Sequence, residues 1–277
     1  MNAPGDPPIC RGDTLLLADV GNTRIKLAVV AQGTGVGPLP AVAQRQDLLS
    51  REFRADNLRR WLDRVAAGGA VVLVASVNDA AAAGLEAAIV EASVTGTRPI
   101  RQRRITREHL PIVVEVDEPH RVGIDRVAAA AAAVLAKEAG RPAIVIDCGT
   151  ATTVDLVAAD GRFLGGAILP GPGLLARALA EGTSRLPAVA DLDTGALPPM
   201  PGRNTQQAIA AGIGFGMRGA VARLVAEAAV ALGGDPQLFL TGGSRGIVRD
   251  AVGGATEIPD LVLHGIALAA GRLQSPP

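Results

Sequence analysis

Apolar positions along the chain fall into short runs of strand length, separated by stretches with helical spacing. Leu15–Ala18 and Leu27–Val30 read as two strands joined by a turn region, Asp19–Lys26, which makes an opening hairpin. Leu58–Val65 has helical spacing, Val71–Ser76 reads as a buried strand, and Ala80–Ala92 as a helix. After the basic run Arg98–Arg107, Ile112–Val116 reads as a short strand and Pro119 to Gly123 as a loop. A helix is predicted from about Asp125 to Ala139, stopped by Gly140 and Pro142. Gly161–Ile168 then reads as a strand and Leu174–Glu181 as a helix. Asn204 suits the N-cap of a long helix through Leu232, which Gly233 and Gly234 end. Gln237–Leu240 reads as a strand running into Thr241-Gly242-Gly243, and Pro259 suits the opening of a final helix. Strands alternating with helices in this way predict an α/β fold.

One pattern occurs twice. The stretch AIVIDCGTATTVDLV repeats the opening: an apolar strand, Asp147, Gly149, small polar residues and a second strand. Asp147 follows Asp19 by 128 positions, close to half of the 277-residue chain. This spacing predicts two similar lobes, each beginning with a strand–turn–strand that carries an aspartate. The expected division is a flexible extension over residues 1–13, a first lobe over 14–124 and a second over 125–277, with an approximate boundary at the 125–139 helix.

Composition narrows the partners. Lys+Arg and Asp+Glu balance at 27 each, so no basic surface points to nucleic acid and no polybasic patch to a membrane. Aromatic residues are 2% of the chain and tyrosine is absent, which argues against stacking platforms for single strands. Two cysteines, Cys10 and Cys148, make neither a metal cage nor a disulfide framework. The N-terminal residues lack the basic start and apolar stretch of a signal peptide, and the apolar block Val127–Ala136 is too short for a bilayer span. A soluble, cytoplasmic protein is expected.

The turn DVGNTRIK holds more chemistry than a turn needs, since Gly21 and Asn22 alone would make one. Glycine and small hydroxyl residues let backbone N–H groups approach phosphate oxygens, an aspartate holds a cation or its waters, and Lys26 adds a point charge. One such turn is ordinary hairpin chemistry. Two in register on opposite halves of the chain point to a polyphosphate clamp. The chain has no G-x-x-x-x-G-K-[ST], which argues against a P-loop, and no G-x-G-x-x-G after a strand, which counts against a Rossmann site. Asp125 opens a helix whose dipole favours the ionised carboxylate, and Arg126 beside it suits orientation or a substrate carboxylate. On local sequence alone, Asp125 reads first as a first-turn acid of an alanine-rich helix.

DVGNTRIK, GIDR at 123–126, DCGTATTVD at 147–155, GGAILPG, NTQQAIAAG at 204–212 and LTGG at 240–243 occur in an order that resembles the type III pantothenate kinases. These belong to the acetate kinase/sugar kinase/Hsp70/actin superfamily, and the resemblance covers about residues 14 to 271. It implies two actin-like (ribonuclease H-like) α/β lobes with an ATP cleft between them. It also implies ATP-dependent phosphorylation of pantothenate, the first step of coenzyme A synthesis, by a homodimer. It further implies that Mg²⁺ or another divalent cation accompanies ATP and that a monovalent cation, K⁺ or NH₄⁺, is required.

The resemblance places ATP contacts at Asp19, Val20, Gly21, Asn22, Thr23, Arg24, Ile25, Lys26 and Thr150. It places pantothenate against Gly123, Ile124, Asp125, Arg126 and Thr205, with Asp125 as general base. Asp147 takes the monovalent cation and Asp19 lies near the divalent one. Where the family commonly has an aromatic residue, seven positions before the GxDR glycine, this chain has Val116, so packing around the substrate is expected to differ.

Other residues keep two readings. Thr241-Gly242-Gly243 suits either an approach to adenosine or a plain tight turn, and Asp155 either faces the cleft or is paired. Cys148 reads as inert packing. Of His109, His120 and His264, only His120 lies near the substrate loop. RPIRQRRITR reads as a solvated or dimer-facing surface rather than an RNA site. Two alternatives to the kinase reading stand beside it: a non-catalytic regulator on the same scaffold, and a kinase for another small hydroxylated substrate.

Overall fold

Uninterrupted leucine, isoleucine and valine runs form the central strands of two sheets, and more polar segments form their edges. The computed structural model describes residues 13–34, 37–66, 68–96, 99–190, 192, 195–196 and 198–274. In chain order the first elements are β1 (Thr14–Val20), β2 (Arg24–Thr34), β3 (Pro40–Leu49), α1 (Ala55–Val65), β4 (Ala70–Ser76), α2 (Asp79–Thr95) and β5 (Ile100–Arg104). Next come α3 (Ile124–Ala136), β6 (Ala143–Cys148), β7 (Ala151–Val157), β8 (Phe163–Pro170) and α4 (Pro172–Gly182). The chain continues with α5 (Thr205–Leu232), β9 (Gln237–Thr241), β10 (Thr256–Glu257) and α6 (Leu261–Gln274).

The sheets run β3-β2-β1-β4-β5 and β10-β9-β6-β7-β8. In each, the first two hairpins are antiparallel and the last two strands join parallel. Relabelled from its own first strand, each sheet therefore has the same order. The duplication legible at Asp19 and Asp147 extends over two whole five-stranded sheets. Of the extension expected over 1–13, only Asp13 lies within the described residues; its carboxylate pairs with Arg101.

In the first sheet the side-chain period of two sends Leu16, Ala18 and Val20, with Ile25, Leu27, Val72 and Val74, into one core. Leu58, Trp61 and Leu62 of α1 and Leu85 and Ile89 of α2 cover it. Asp19, one residue out of phase, falls on the opposite face together with Lys26, its ladder partner. In the second sheet Ile144, Ile146, Cys148, Val154 and Leu240 pack with Ile209, Ile213, Met217 and Val221 of α5. Asp147 again falls on the other face.

The chain divides into two units. The first runs to Ile112 and adds Glu118–Ala136 and the chain from Leu261; the second is Val113–Asp117 with Lys137–Asp260. A boundary between 124 and 125 would place both α3 and α6 in the second lobe, whereas both belong to the first unit. Their packing explains it. Gly265 of α6 lies so near the Ala128 backbone of α3 that a Cβ would overlap it, and α3 is buried from Val127 to Ala133.

Other elements differ from expectation for local reasons. β3 is an edge strand in which only Leu48 is buried, so it shows no apolar run. A bulge at Gln44, with φ of 48°, breaks its register, and the chain's one tryptophan donates to the Gln44 carbonyl at 3.0 Å. β5 lies inside the basic run and buries Arg103, so that segment is only partly solvated. Ile112–Val116 forms a single bridge, Val114 to Phe163, rather than a strand. The last helix starts at Leu261, after Asp260 with φ of 62°, two residues beyond Pro259. By length and composition alone α5 would cross a membrane. Its Ile209–Val221 stripe packs on a sheet instead, and Arg218 and the Arg223–Glu227 pair lie along it.

Candidate active site

The first unit gathers two of the predicted motifs. At the β1–β2 turn the Gly21 N–H donates to the Arg24 carbonyl at 2.9 Å, leaving Asn22 and Thr23 exposed. Lys26 Nζ stands 3.8 Å from Asp19 Oδ2, and Asp19 is buried. Val20 and Ile25 point into the core, so only their main chain faces the turn. Arg24 is paired with Asp47 at 3.8 Å.

Asp125 sits in the first turn of α3 and folds back over Gly123, where an added Cβ would come within 2.5 Å of Asp125 Oδ1. The glycine of GIDR is therefore a space requirement set by the carboxylate two residues on. Asp125 Oδ1 accepts the Arg126 N–H at 2.8 Å. Burial raises the Asp125 pKa above the usual carboxylate value, while the Arg126 N–H, the Arg126 charge and Lys26 pull it back. A carboxylate raised in this way is a better proton acceptor near neutral pH than a solvated one. A groove of about 650 Å³ adjoins the motif, with Ser76, Val77, Arg107, His120, Gly123 and Ile124 among its lining residues. His120 is thus beside the candidate substrate loop, as its position in the chain suggested.

In the second unit Asp147 is the penultimate residue of β6, with Thr241 and Thr153 as its ladder partners on either side. The three side chains form one polar row across the sheet. Gly242, with φ of +91°, lies directly beside it: an added Cβ would come within 2.5 Å of Asp147 Oδ1 and closer still to the Cys148 carbonyl. The tight turn after Asp147 is closed by Gly149 N–H to the Ala151 carbonyl at 2.9 Å, and the Thr150 carbonyl accepts the Gly171 N–H at 2.9 Å. Asp155 is buried and accepts the Thr153 hydroxyl at 3.0 Å, so it is paired, and two residues along β7 from Thr153 it lies on the same sheet face as Asp147. Cys148 is fully buried, and desolvation, followed by the Asp147 charge, pushes its thiol up to about 12. It is inert at neutral pH.

Thr205 is the first residue of α5 and is exposed. Asn204 caps that helix by accepting the Gln207 N–H at 2.9 Å. Val116 lies over Gly165, where an added Cβ would meet its Cγ1 at 3.4 Å. Sequence reasoning overlooked Gly242 as the residue that leaves room at Asp147. The signal was present in LTGG, since only glycine readily takes that φ.

The model of the type III pantothenate kinase family matches residues 15–227. A type III pantothenate kinase from Rhodopirellula baltica is 37% identical over 269 residues, covering 90% of this chain and 95% of its own. One from an Azoarcus species is 36% identical over 260 residues, covering 92% and 90%. Among solved structures, a protein from Campylobacter jejuni assigned to a Baf family of transcriptional activators superposes with a TM-score of 0.56 at 17% identity, covering 93% of this chain and 98% of that one. A Sinorhizobium meliloti protein named as a 2-dehydro-3-deoxygalactonokinase gives 0.50 at 18%, covering 95% and 98%. These two likenesses concern the fold alone. The chain belongs to the type III pantothenate kinases.

Proposed function

We propose that this chain transfers the γ-phosphoryl group of ATP to the primary hydroxyl of pantothenate, giving 4′-phosphopantothenate and ADP, the first step of coenzyme A synthesis. The observation that carries the reading is Asp125: a desolvated carboxylate at a helix start, folded over Gly123 and within the field of Lys26. The hydroxyl oxygen attacks the γ-phosphorus, its proton passes to Asp125, and the bond from that phosphorus to the ADP oxygen breaks. Most of the acceleration comes from positioning and charge neutralisation.

Asn22 and Thr23, with Lys26, take the phosphates, while Val20, Gly21 and Ile25 contribute main chain; Thr150 is a further ATP contact. Arg24, whose exposed side chain stands 3.8 Å from Asp47, completes this group. Gly123, Ile124, Arg126 and Thr205 contact pantothenate. Mg²⁺ would arrive with ATP, and Asp19 in the phosphate turn is the carboxylate that would receive it, although Lys26 at 3.8 Å already offsets that charge. For the monovalent cation, K⁺ or NH₄⁺, Asp147 supplies the carboxylate, with the side chains of Thr241 and Thr153 in the same row. The ion supplies fixed positive charge next to the nucleotide.

Two further features belong to this reading. The outward face of α5 carries Ala208, Gly212, Phe215, Gly216 and Gly219, a smooth apolar surface suited to a second copy of the chain. We therefore read the enzyme as a homodimer, about 56 kDa from twice 28.0 kDa by light scattering. ATP as substrate and an inert, reduced Cys148 fit a cytoplasmic enzyme.

Purified protein with ATP, Mg²⁺ and K⁺ should release ADP on addition of pantothenate, and phosphopantothenate should appear in equal amount. A panel of other small alcohols tests the change at Val116: ADP release with another alcohol and none with pantothenate would reassign the substrate. No release with any of them would favour the regulatory reading.

A further inference from the structure

The β1–β2 turn is held from behind by a residue outside every motif. Ser50, one position past the end of β3, makes two hydrogen bonds to it. Its Oγ–H donates to the Gly21 carbonyl at 2.8 Å, and its N–H donates to the Thr23 carbonyl at 3.0 Å. A third bond, Gly21 N–H to the Arg24 carbonyl at 2.9 Å, closes the turn on itself.

These bonds set the direction of a peptide plane. In a trans peptide the C=O and the following N–H point opposite ways. Drawing the Gly21 carbonyl toward Ser50 therefore turns the Asn22 N–H away from β3. Asn22 is exposed, and the same short stretch carries Asp19 and Lys26. An outward backbone N–H beside a lysine is the chemistry that receives a phosphate oxygen.

We propose that Ser50 is a positioning residue for the nucleotide: it locks the Gly21–Asn22 peptide so that the Asn22 N–H is preset toward a phosphate oxygen of ATP. This rests on reading Asp19–Lys26 as the phosphate turn. Ser50 touches neither nucleotide nor reacting atoms. Its effect belongs to binding, because a turn already ordered loses less freedom when ATP arrives. Without the hydroxyl the peptide is free to rotate, and part of the ATP affinity goes with it.

The test is the ATP Kd of the full-length protein, measured by calorimetry without pantothenate, together with both KM values. Ser50→Ala should raise the ATP Kd and KM about three- to tenfold, the range of one hydrogen bond. The pantothenate KM and the kcat at saturating ATP should stay within about twofold, the signature of a lost binding contact. Ser50→Thr, which keeps the hydroxyl, should restore affinity. The near-isosteric Ser50→Cys, with its weak S–H donor, should shift the Kd in the same direction as alanine. A soluble Ser50→Ala or Ser50→Cys protein with lower Tm but wild-type ATP affinity overturns the proposal, leaving Ser50 a merely structural residue. Lys26→Met separates the two levels. If it weakens ATP binding and Ser50→Ala does not, the inference about Ser50 alone falls; if neither does, the phosphate-turn reading falls with it.

Discussion

The hairpins that begin the two sheets share a strand order and differ in what faces their aspartates. Across the ladder from Asp19 stands Lys26, 3.8 Å away; across from Asp147 stands Thr153. The chain has only two lysines, and one is placed here. Thr153 has a single hydroxyl proton, which it donates to Asp155, so it cannot also donate to Asp147. The first turn is wide and pinned from β3, whereas the second is tight and flanked by Gly242. Duplication supplied two similar scaffolds. At the equivalent ladder position the first end carries a cation, Lys26, and the second a threonine, Thr153.

The largest effect that can break this comparison lies at the first end. Asp125→Asn keeps the shape and the bond from the Arg126 N–H but removes the proton acceptor. Its kcat should fall by about 10²–10⁴-fold, the usual weight of a general base. Stability should move the other way. Burial raises the folded-state pKa of Asp125, so its ionised form costs stability as pH rises through that value. At neutral pH the asparagine variant should therefore melt no lower than wild type. The wild-type pH profile should lose activity as pH falls through the raised pKa, and the variant should show no such limb. A folded variant retaining more than about a tenth of the wild-type kcat, above what loss of a general base allows, removes Asp125 from the role.

How much of this was legible depended on whether a residue's job showed in local pattern. The central strands and α5 were readable because burial demands apolar side chains at the strand or helix period. β3 and β5 were not, because an edge strand with one buried residue, or one inside RQRR, carries no such pattern. The placement of α3 and α6 was hidden for another reason: it depends on Gly265 meeting Ala128, a contact between remote parts of the chain. The motifs singled out Asp19, Lys26, Asp125 and Asp147 as candidates. They were silent on Ser50, a lone serine after a strand that itself left no trace.

A smaller effect sharpens the contrast between the two aspartates. If Asp147 relies on a dissolved cation, K⁺ or NH₄⁺ should support turnover about tenfold or more better than Na⁺ at matched ionic strength, within the usual 5–150-fold span of coupled binding. K⁺ should also raise the Tm of the protein without substrates, since an ion that binds only the folded state stabilises it. Thr153→Lys would copy the Asp19–Lys26 arrangement into the second hairpin. Its turnover should depend much less on K⁺, and the K⁺-induced rise in Tm should vanish. Equal rates and equal Tm in all three salts for wild type would count against the assignment of Asp147.

The smallest effect is expected one residue further along each hairpin. Val20 follows Asp19 and Cys148 follows Asp147, and both side chains point into their own sheet's core. If position 148 is only packing, Cys148→Val should make the second hairpin resemble the first at little cost. The two side chains are close in volume, and such swaps usually cost less than about 1.5 kcal/mol. The thiol has no chemistry to lose, because burial and the neighbouring Asp147 push its pKa to about 12 and leave almost no thiolate at neutral pH. Turnover should stay within about twofold and the K⁺ dependence should be unchanged. A large loss of turnover in a stably folded Cys148→Val protein would instead mean that the thiol takes part in the Asp147 site. The two hairpins would then differ in a second position, not in the ladder partner alone.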